Sequence, residues 1–252
     1  MIRVSLRFYA ELNDFLPPRK RQVTYPQALN DHAAVKDVIE AQGVPHTEVD
    51  LILVNGESVD FSYQVQDGDR ISVYPMFESI DITPVLRVRP QPLREPRFIL
   101  DTHLGKLAAY LRMLGFDTLY RNDYDDETLA RLSSAEQRIL LTRDRGLLKR
   151  ARVTHGYHVW ETNPERQLLE VLRRFDLFCS TAPFSRCLRC NQLLERVPKE
   201  AVADRLPAKT RRYYHEFGMC PACGQIYWKG PHYQHMERLI ARLVAPGRQR
   251  QG

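Results

Sequence analysis

Acidic side chains follow two short apolar runs in the middle of the chain. Asp101 ends the run at 98–100, and Asp144 comes just after the run at 139–142. Apolar runs of this length, alternating with helical patterns, indicate buried parallel strands. Ligands of such sheets lie beyond the carboxyl ends of the strands. The acids Asp123, Asp125 and Asp126 lie close together between the two runs. We therefore expect the carboxylates to converge on one cleft.

Clustered carboxylates repel one another unless a cation lies among them, and Mg²⁺ or Mn²⁺ prefers oxygen ligands. The acids therefore predict a metal-dependent phosphodiesterase site. Each acid also has a simpler interpretation, because an aspartate that precedes a helix commonly caps it, as Asp101 and Asp144 could do. If the acids were only helix caps, their presence at three strand–helix junctions would be three separate coincidences. One shared metal site would explain all three acids together. The two roles are compatible, and both stay open here.

Four of the five cysteines form two Cys-x-x-Cys pairs, Cys187 with Cys190 and Cys220 with Cys223. Such pairs predict a tetrahedral zinc site with four thiolate ligands. All four ligand positions would then be protein sulfur, so we expect the zinc to be structural rather than catalytic. Cys179 is left over, and we expect it to be buried.

Charge is unevenly distributed along the chain. Residues 1–80 carry seven Lys and Arg against twelve Asp and Glu, whereas residues 179–252 carry thirteen against five. A basic segment favours a polyanionic partner such as nucleic acid, although the same charge could serve solubility alone. No apolar run approaches the roughly 18 residues of a membrane span, and no signal-peptide core is visible, so we expect a cytoplasmic protein without membrane segments.

The pattern divides the chain into modules. Residues 1–80 predict a small α+β domain, with strands at 2–8, 22–25, 51–54 and 70–75 and a helix at 33–42. The proline-rich residues 81–96 predict an extended linker. Residues 97–178 predict an α/β domain with a parallel sheet, in which strands at 98–100, 118–120, 138–142 and 157–160 alternate with helices, one of them at 145–152. Residues 179–252 predict a zinc ribbon with a basic tail.

The first module resembles the ubiquitin-like β-grasp sulfur carriers of thiamine and molybdopterin synthesis. The resemblance rests on Val54-Asn55-Gly56 followed by the stretch at 67–75. It implies a β-grasp fold for residues 1–80. Those carriers need a free Gly-Gly end to take up sulfur, and here the chain continues past Pro75. We therefore expect a structural or regulatory role, or docking to a protein partner, instead of carrier chemistry.

The rest of the chain resembles the PIN-like RNase domain of the Mut-seven C-terminal family. The matching motifs lie at 98–108, 111–117, 140–145, 187–191, 220–224 and 226–232. The resemblance implies a PIN-like fold, a zinc ribbon and metal-dependent ribonuclease activity. By position, Asp101 and Asp144 match the family's first and late acids, and Asp126 matches the intermediate one. Asp123 is a fourth candidate.

The resemblance thus implies hydrolysis of RNA, with Mg²⁺ or Mn²⁺ held by Asp101, Asp126 and Asp144. The candidate phosphate-binding cations are Lys106, Arg143, Arg145, Arg211, Arg212 and Lys229. Tyr213 and Trp228 could stack on unpaired bases or could pack against the zinc knuckles. Arg112, in the middle of a helix, is expected to be structural. The alternative function is a non-catalytic RNA-binding or adaptor protein that retains the nuclease fold.

Overall fold

The structure is a computed structural model that describes residues 1–75, 88 and 96–248 of the chain. The predicted linker at 81–96 lies almost entirely outside the described residues. The described residues divide into two compact units. The first draws on Met1–Glu95 and Asp126–His158, and the second draws on Pro96–Asp125 and Val159–Gly252.

The head of the first unit is a five-stranded mixed sheet with one helix. Its elements are β1 (Ile2–Phe8), β2 (Tyr25–Leu29), α1 (Val35–Ala41), β3 (Val49–Val54), β4 (Glu57–Val59) and β5 (Arg70–Pro75). The strand order is β2-β1-β5-β3-β4, and β1 runs parallel to β5. Alternate residues of β1 and one face of α1 share the buried core. This is the β-grasp arrangement that the sequence predicts.

The second strand of the head differs from the prediction. A strand at 22–25 is wrong, because Gln22 has φ 56° and its N–H donates to Asn13 Oδ1 at 2.6 Å, which places it in a turn. The strand begins at Tyr25 instead and pairs antiparallel with β1. A tight hairpin turn follows β3, where Asn55 and Gly56 both have positive φ, as such a turn requires.

The remaining elements follow in chain order: β6 (Phe98–Leu100), α2 (Gly105–Met113), β7 (Thr118–Leu119), α3 (Asp126–Ala135), β8 (Ile139–Thr142), α4 (Arg145–Leu148), β9 (Gly156–His158), α5 (Pro164–Arg174), β10 (Glu195–Val197), α6 (Ala208–Tyr213), β11 (Phe217–Met219), β12 (Ile226–Trp228) and α7 (Pro231–Arg248).

The first unit also contains α3, β8, α4 and β9. Strands β8 and β9 are parallel, and Thr142 lies opposite His158. The helix predicted at 145–152 ends at Leu148, because the chain then turns twice and buries Val153 completely. All four residues of β8 are buried, in agreement with their apolar run.

The second unit contains a parallel pair, β6 and β7, and the three-stranded antiparallel sheet β10-β11-β12. Phe98 on β6 contacts the rings of Phe116 and Phe175, with centroids 6.2 and 5.7 Å away. Helix α7 was predicted only as part of a basic tail. It buries Leu239 and Leu243, which lie one helical turn apart. Cys179 is exposed, so its predicted burial is wrong.

None of the helices in the described residues combines the length and the apolar character that a membrane crossing requires.

Candidate metal centre and predicted acidic site

The four paired cysteines come together in the second unit. Their sulfur atoms all lie within 4.8 Å of one another. Cys187 Sγ is 3.6 Å from Cys223 Sγ, and Cys190 Sγ is 3.3 Å from Cys220 Sγ. Tetrahedral zinc with bonds of about 2.3 Å would place its sulfur ligands about 3.8 Å apart. The thiol set therefore fits zinc, and the clustering of the predicted ligands is confirmed.

The two knuckles share one backbone pattern. The N–H of Cys187 donates to Gln192 O, and the N–H of Cys220 donates to the equivalent Gln225 O, at 2.8 and 2.9 Å. The residue after each second cysteine has a left-handed backbone, with φ 74° at Asn191 and φ 70° at Gly224. Asn and Gly tolerate this conformation best. The local sequence therefore specifies both ligand loops.

The hydroxyl of Tyr227 supports the first knuckle. It accepts a hydrogen bond from the Leu188 N–H at 3.0 Å and lies 3.2 Å from Cys187 Sγ, to which it donates. Burial alone would raise the pKa of the Cys187 thiol. The hydrogen bonds from Tyr227 and from the backbone N–H groups of Cys190 and Arg189 nevertheless lower that pKa to about 6. The lowered pKa favours the thiolate form of Cys187, which is the form that binds a cation.

Arg112 connects the first knuckle to the rest of the second unit. It is buried on α2, and its guanidinium donates to the carbonyl oxygens of Leu188 and Arg189 at 3.0 and 3.1 Å. Its Nε donates to Thr118 O at 2.9 Å. Burial lowers the pKa of Arg112, and the nearby thiols partly offset this effect. The predicted structural role of Arg112 is confirmed.

Asn191 makes a second connection from the same knuckle. Its side-chain oxygen accepts from the Thr118 N–H at 2.9 Å, and its Nδ2 donates to Asp117 Oδ1 at 2.7 Å. Thr118 begins β7. The Asn191 side chain therefore joins the first knuckle to the β6–β7 strand pair through one hydrogen bond that it accepts and one that it donates. The sequence gives no periodic signal for this contact, because its partners lie more than 70 residues apart.

Asp144 lies in the first unit, directly after β8. Its Oδ1 accepts from the Gly146 N–H at 2.7 Å, which makes it the N-cap of α4. Its own N–H donates to the buried Thr142 Oγ1 at 2.9 Å. The predicted capping role is confirmed, and the exposed carboxylate is held in a fixed direction.

Positively charged residues are the immediate sequence neighbours of Asp144. Arg143 and Arg145 flank it in sequence, and the Arg145 guanidinium lies 5.2 Å from the centroid of the Phe15 ring. His158 ends β9 close by. Burial, followed by the positive charges of Arg145 and Arg143, lowers the pKa of His158 to about 4. His158 was not singled out from the sequence, because it lay inside the predicted strand at 157–160 and not at its end.

Asp126 also lies in the first unit, at the beginning of α3. Its Oδ2 forms an ion pair with Arg150 Nη2 at 3.1 Å, and both side chains are largely exposed. The adjacent Glu127 pairs with Arg152 at 2.7 Å. Exposed ion pairs of this kind contribute roughly 0–1 kcal/mol, so a stronger cation could replace Arg150.

Asp101 and Asp123 belong to the second unit. Asp101 is buried after β6, and its Oδ1 accepts from the Thr102 N–H at 2.6 Å, which confirms the predicted N-cap. Asp123 is exposed and makes a two-pronged ion pair with Arg121 at 2.7 and 2.9 Å. The hydrogen bonds from Arg121 lower the pKa of Asp123. Within either unit, the described residues contain no group of three carboxylates close enough to share an ion.

Comparison with protein families identifies both parts of the chain. A model described as the Mut7-C RNAse domain matches residues 96–240. The chain belongs to this family. A second model, described as Mut7-C ubiquitin, matches residues 1–81. The searches found no matching curated protein and no matching solved structure.

The Mut7-C region also contains the cations predicted to bind phosphate. Lys106 and the α6 residues Arg211 and Arg212 are exposed. Lys229 is exposed too, but its Nζ forms an ion pair with Glu216 at 2.8 Å. These side chains are accessible to a polyanion, and their role as phosphate ligands stays a prediction.

The aromatic residues of the ribbon divide into two groups. Tyr213 is 65% exposed, with the Arg212 guanidinium 5.5 Å from its ring centroid, so it does not pack against the knuckles. Trp228 is half-buried and packs against the cluster formed by Val202, Leu206, Phe217 and Ile226. Trp228 therefore packs against the apolar core of the ribbon, and the predicted packing against the knuckles is wrong for Tyr213.

Proposed function

We propose that this Mut7-C protein is a metal-dependent ribonuclease in which Asp101, Asp126 and Asp144 hold Mg²⁺ or Mn²⁺. The observation that carries the proposal is the match of residues 96–240 to the Mut7-C RNAse domain. That match points to a nuclease-type hydrolase. The three acids and the metal are our assignment from the positions of the family motifs. The zinc-binding thiols would serve the fold, since they leave no ligand position open.

A bound divalent ion would supply an activated water and would stabilise charge on the departing oxygen. The side chains around Asp144 suit such chemistry. The cap of α4 fixes the Asp144 carboxylate, and Arg143 and Arg145 provide positive charge beside it for a phosphate group. His158 is neutral at physiological pH because its pKa is lowered to about 4, so it adds no third cation there.

One observation favours the alternative, an RNA-binding or adaptor protein without catalysis. Each of the acids has a hydrogen-bond or ion-pair partner within the protein itself. Asp101 and Asp144 each accept a hydrogen bond from a backbone N–H, and Asp126 pairs with Arg150. Capping alone would be sufficient reason for aspartate at two of the three positions.

Cleavage of labelled RNA tests the two proposals. Purified protein would be incubated with single-stranded and structured RNAs and Mn²⁺ or Mg²⁺. The test variant is Asp101→Asn with Asp144→Asn, in which asparagine preserves both caps but weakens metal binding. The matched control is Asp31→Asn with Asp204→Asn, at two exposed positions.

Metal-dependent cutting that the test variant loses and the control retains would support the ribonuclease. Salt-sensitive RNA binding by all proteins, with no cutting by any of them, would support the adaptor instead. Equal cutting by the test variant and the control would refute the assigned acids.

A further inference from the structure

A groove lies beside the second zinc knuckle of the ribbon. Its volume is about 310 Å³, and its lining includes Arg189, Arg205, Leu206, Pro207, Ile226 and Trp228. Small-molecule sites in proteins measure roughly 300–1,000 Å³. A volume at the lower end of that range suits one nucleotide and is too small for a duplex or a folded segment.

The apolar wall of the groove is rigid. Leu206 and Ile226 are buried in the ribbon core, and the half-buried Trp228 packs against that core. The indole also lies close to Gly230, where a Cβ would come within 2.6 Å of Trp228 Nε1. An aromatic ring that is packed on one side and half exposed loses little conformational entropy when a base stacks on its exposed part.

The charged wall of the groove is entirely cationic. Arg205 donates to the Gly224 carbonyl and is therefore held in place. Arg189 is exposed on the first knuckle, and no hydrogen bond or ion pair joins its guanidinium to the described part of the chain. Among the residues that the structure describes, no carboxylate lines the groove. One arginine is thus positioned, and the other is available to a ligand.

We propose that this groove binds one unpaired nucleotide of RNA, with the base against Trp228 and a phosphate between Arg189 and Arg205. Stacking on an aromatic ring beside arginine is how proteins recognise single strands. An acidic peptide would satisfy the arginines but would leave the flat apolar wall without a partner. The choice of RNA rests on the proposed function, while the shape and charge of the groove do not depend on it.

Tryptophan fluorescence tests the groove in the full-length, zinc-loaded protein. The chain has two tryptophans, so Trp160→Phe leaves Trp228 as the reporter. Asp144→Asn would be added to prevent cutting during the titration. A short single-stranded oligoribonucleotide is expected to quench Trp228, and the same sequence in a duplex is not.

Arg189→Gln is expected to weaken binding about tenfold, since it removes a charge-assisted hydrogen bond to phosphate. The matched control is Arg238→Gln, at an exposed arginine on α7 outside the groove, for which we expect less than a twofold change. Trp228→Leu keeps apolar packing while removing the stacking surface. In that variant, binding of labelled RNA should weaken about tenfold while the zinc content stays unchanged.

Equal losses in Arg189→Gln and Arg238→Gln, or equal quenching by duplex RNA or by a polyglutamate peptide, would overturn the proposal. The outcome is separable from that of the proposed function. Normal metal-dependent cleavage without quenching of Trp228 would refute the groove alone. Quenching that depends on Arg189, in a protein that cuts no RNA, would support the groove and refute the nuclease.

Discussion

His46 connects the head to the segment that carries Asp144. We expect that replacing His46 makes this connection open more easily. Its Nδ1 lies 2.6 Å from Glu40 Oε1, and its Nε2 lies 2.8 Å from the Val153 carbonyl oxygen. Both ring nitrogens thus lie within hydrogen-bond distance of an oxygen atom. Burial by itself raises the pKa of Glu40, but the hydrogen bond and charge of His46 lower it overall.

The size of the effect follows from burial. The His46 side chain is 7% exposed and that of Glu40 is 18% exposed. His46→Ala would leave a poorly hydrated carboxylate and a buried carbonyl without this partner. Hydrogen bonds to charged groups contribute about 1.5–3 kcal/mol each, and a neutral one contributes about 1 kcal/mol. We expect a loss of about 3 kcal/mol in the free energy of opening between the head and residues 139–158.

Hydrogen exchange measures this opening locally. Amides of β8 and β9 should exchange on the order of 100-fold faster in His46→Ala, because each 1.4 kcal/mol is a factor of ten. The His158 N–H is a sensitive reporter, since it donates to the buried Glu48 Oε1 at 2.6 Å. The control is His32→Ala, the same substitution at an exposed histidine of the head. If His46→Ala and His32→Ala exchange at the same rate, the anchoring role of His46 is refuted.

Three further predictions concern the buried cation, the buried histidine and the metal. Arg112→Met should destabilise the second unit by roughly 3–5 kcal/mol and should speed the loss of zinc. Arg112→Lys should restore little of this stability, because one ammonium group cannot reach several carbonyl oxygens. Thermal unfolding and the rate of zinc release would measure both effects. The pKa of His158 is lowered from 6.5 to about 4, so its contribution to stability is complete above pH 6.5 and is lost as the pH falls to 4. His158→Gln should therefore remove the dependence of the free energy of unfolding on pH between pH 4 and 6.5, a change of at most about 3 kcal/mol when measured by urea unfolding. The same pH dependence in the variant and the original protein would contradict this prediction. Chelation of zinc should abolish exchange protection in β11 while preserving it in β1, and retained protection in β11 would refute a structural role for the metal.

The zinc centre was the feature most accessible to sequence reasoning. Each knuckle is a local unit, in which two cysteines and a following residue with left-handed backbone specify the ligand loop. Cys190-Asn191 and Cys223-Gly224 show this pattern directly. The short apolar runs were equally informative, since burial on both faces requires consecutive apolar residues, as at 139–142. Local geometry and burial are properties that neighbouring residues determine.

Boundaries that depend on distant residues were predicted less well. Helix α4 ends four residues before the predicted position, since Val153 turns inward to a buried site where its carbonyl meets His46. Helix α7 was not predicted, because charged and polar residues are interspersed with the apolar ones in this segment. Its apolar face is identified only from the burial of Leu239 and Leu243 in the structure. In both cases the deciding partner lies outside the local window.

The sequence by itself determined the family, the order of the strands and helices along most of the chain, and the four thiols that cluster at the candidate metal centre. Tertiary structure alone decided that residues 126–158 form one compact unit with the head. It does so through buried polar contacts, including His46 to Val153 and Glu48 to His158, whose partners are more than 100 residues apart. Such contacts leave no periodic trace in a sequence, because a polar residue that will be buried and paired looks the same as one that stays in water.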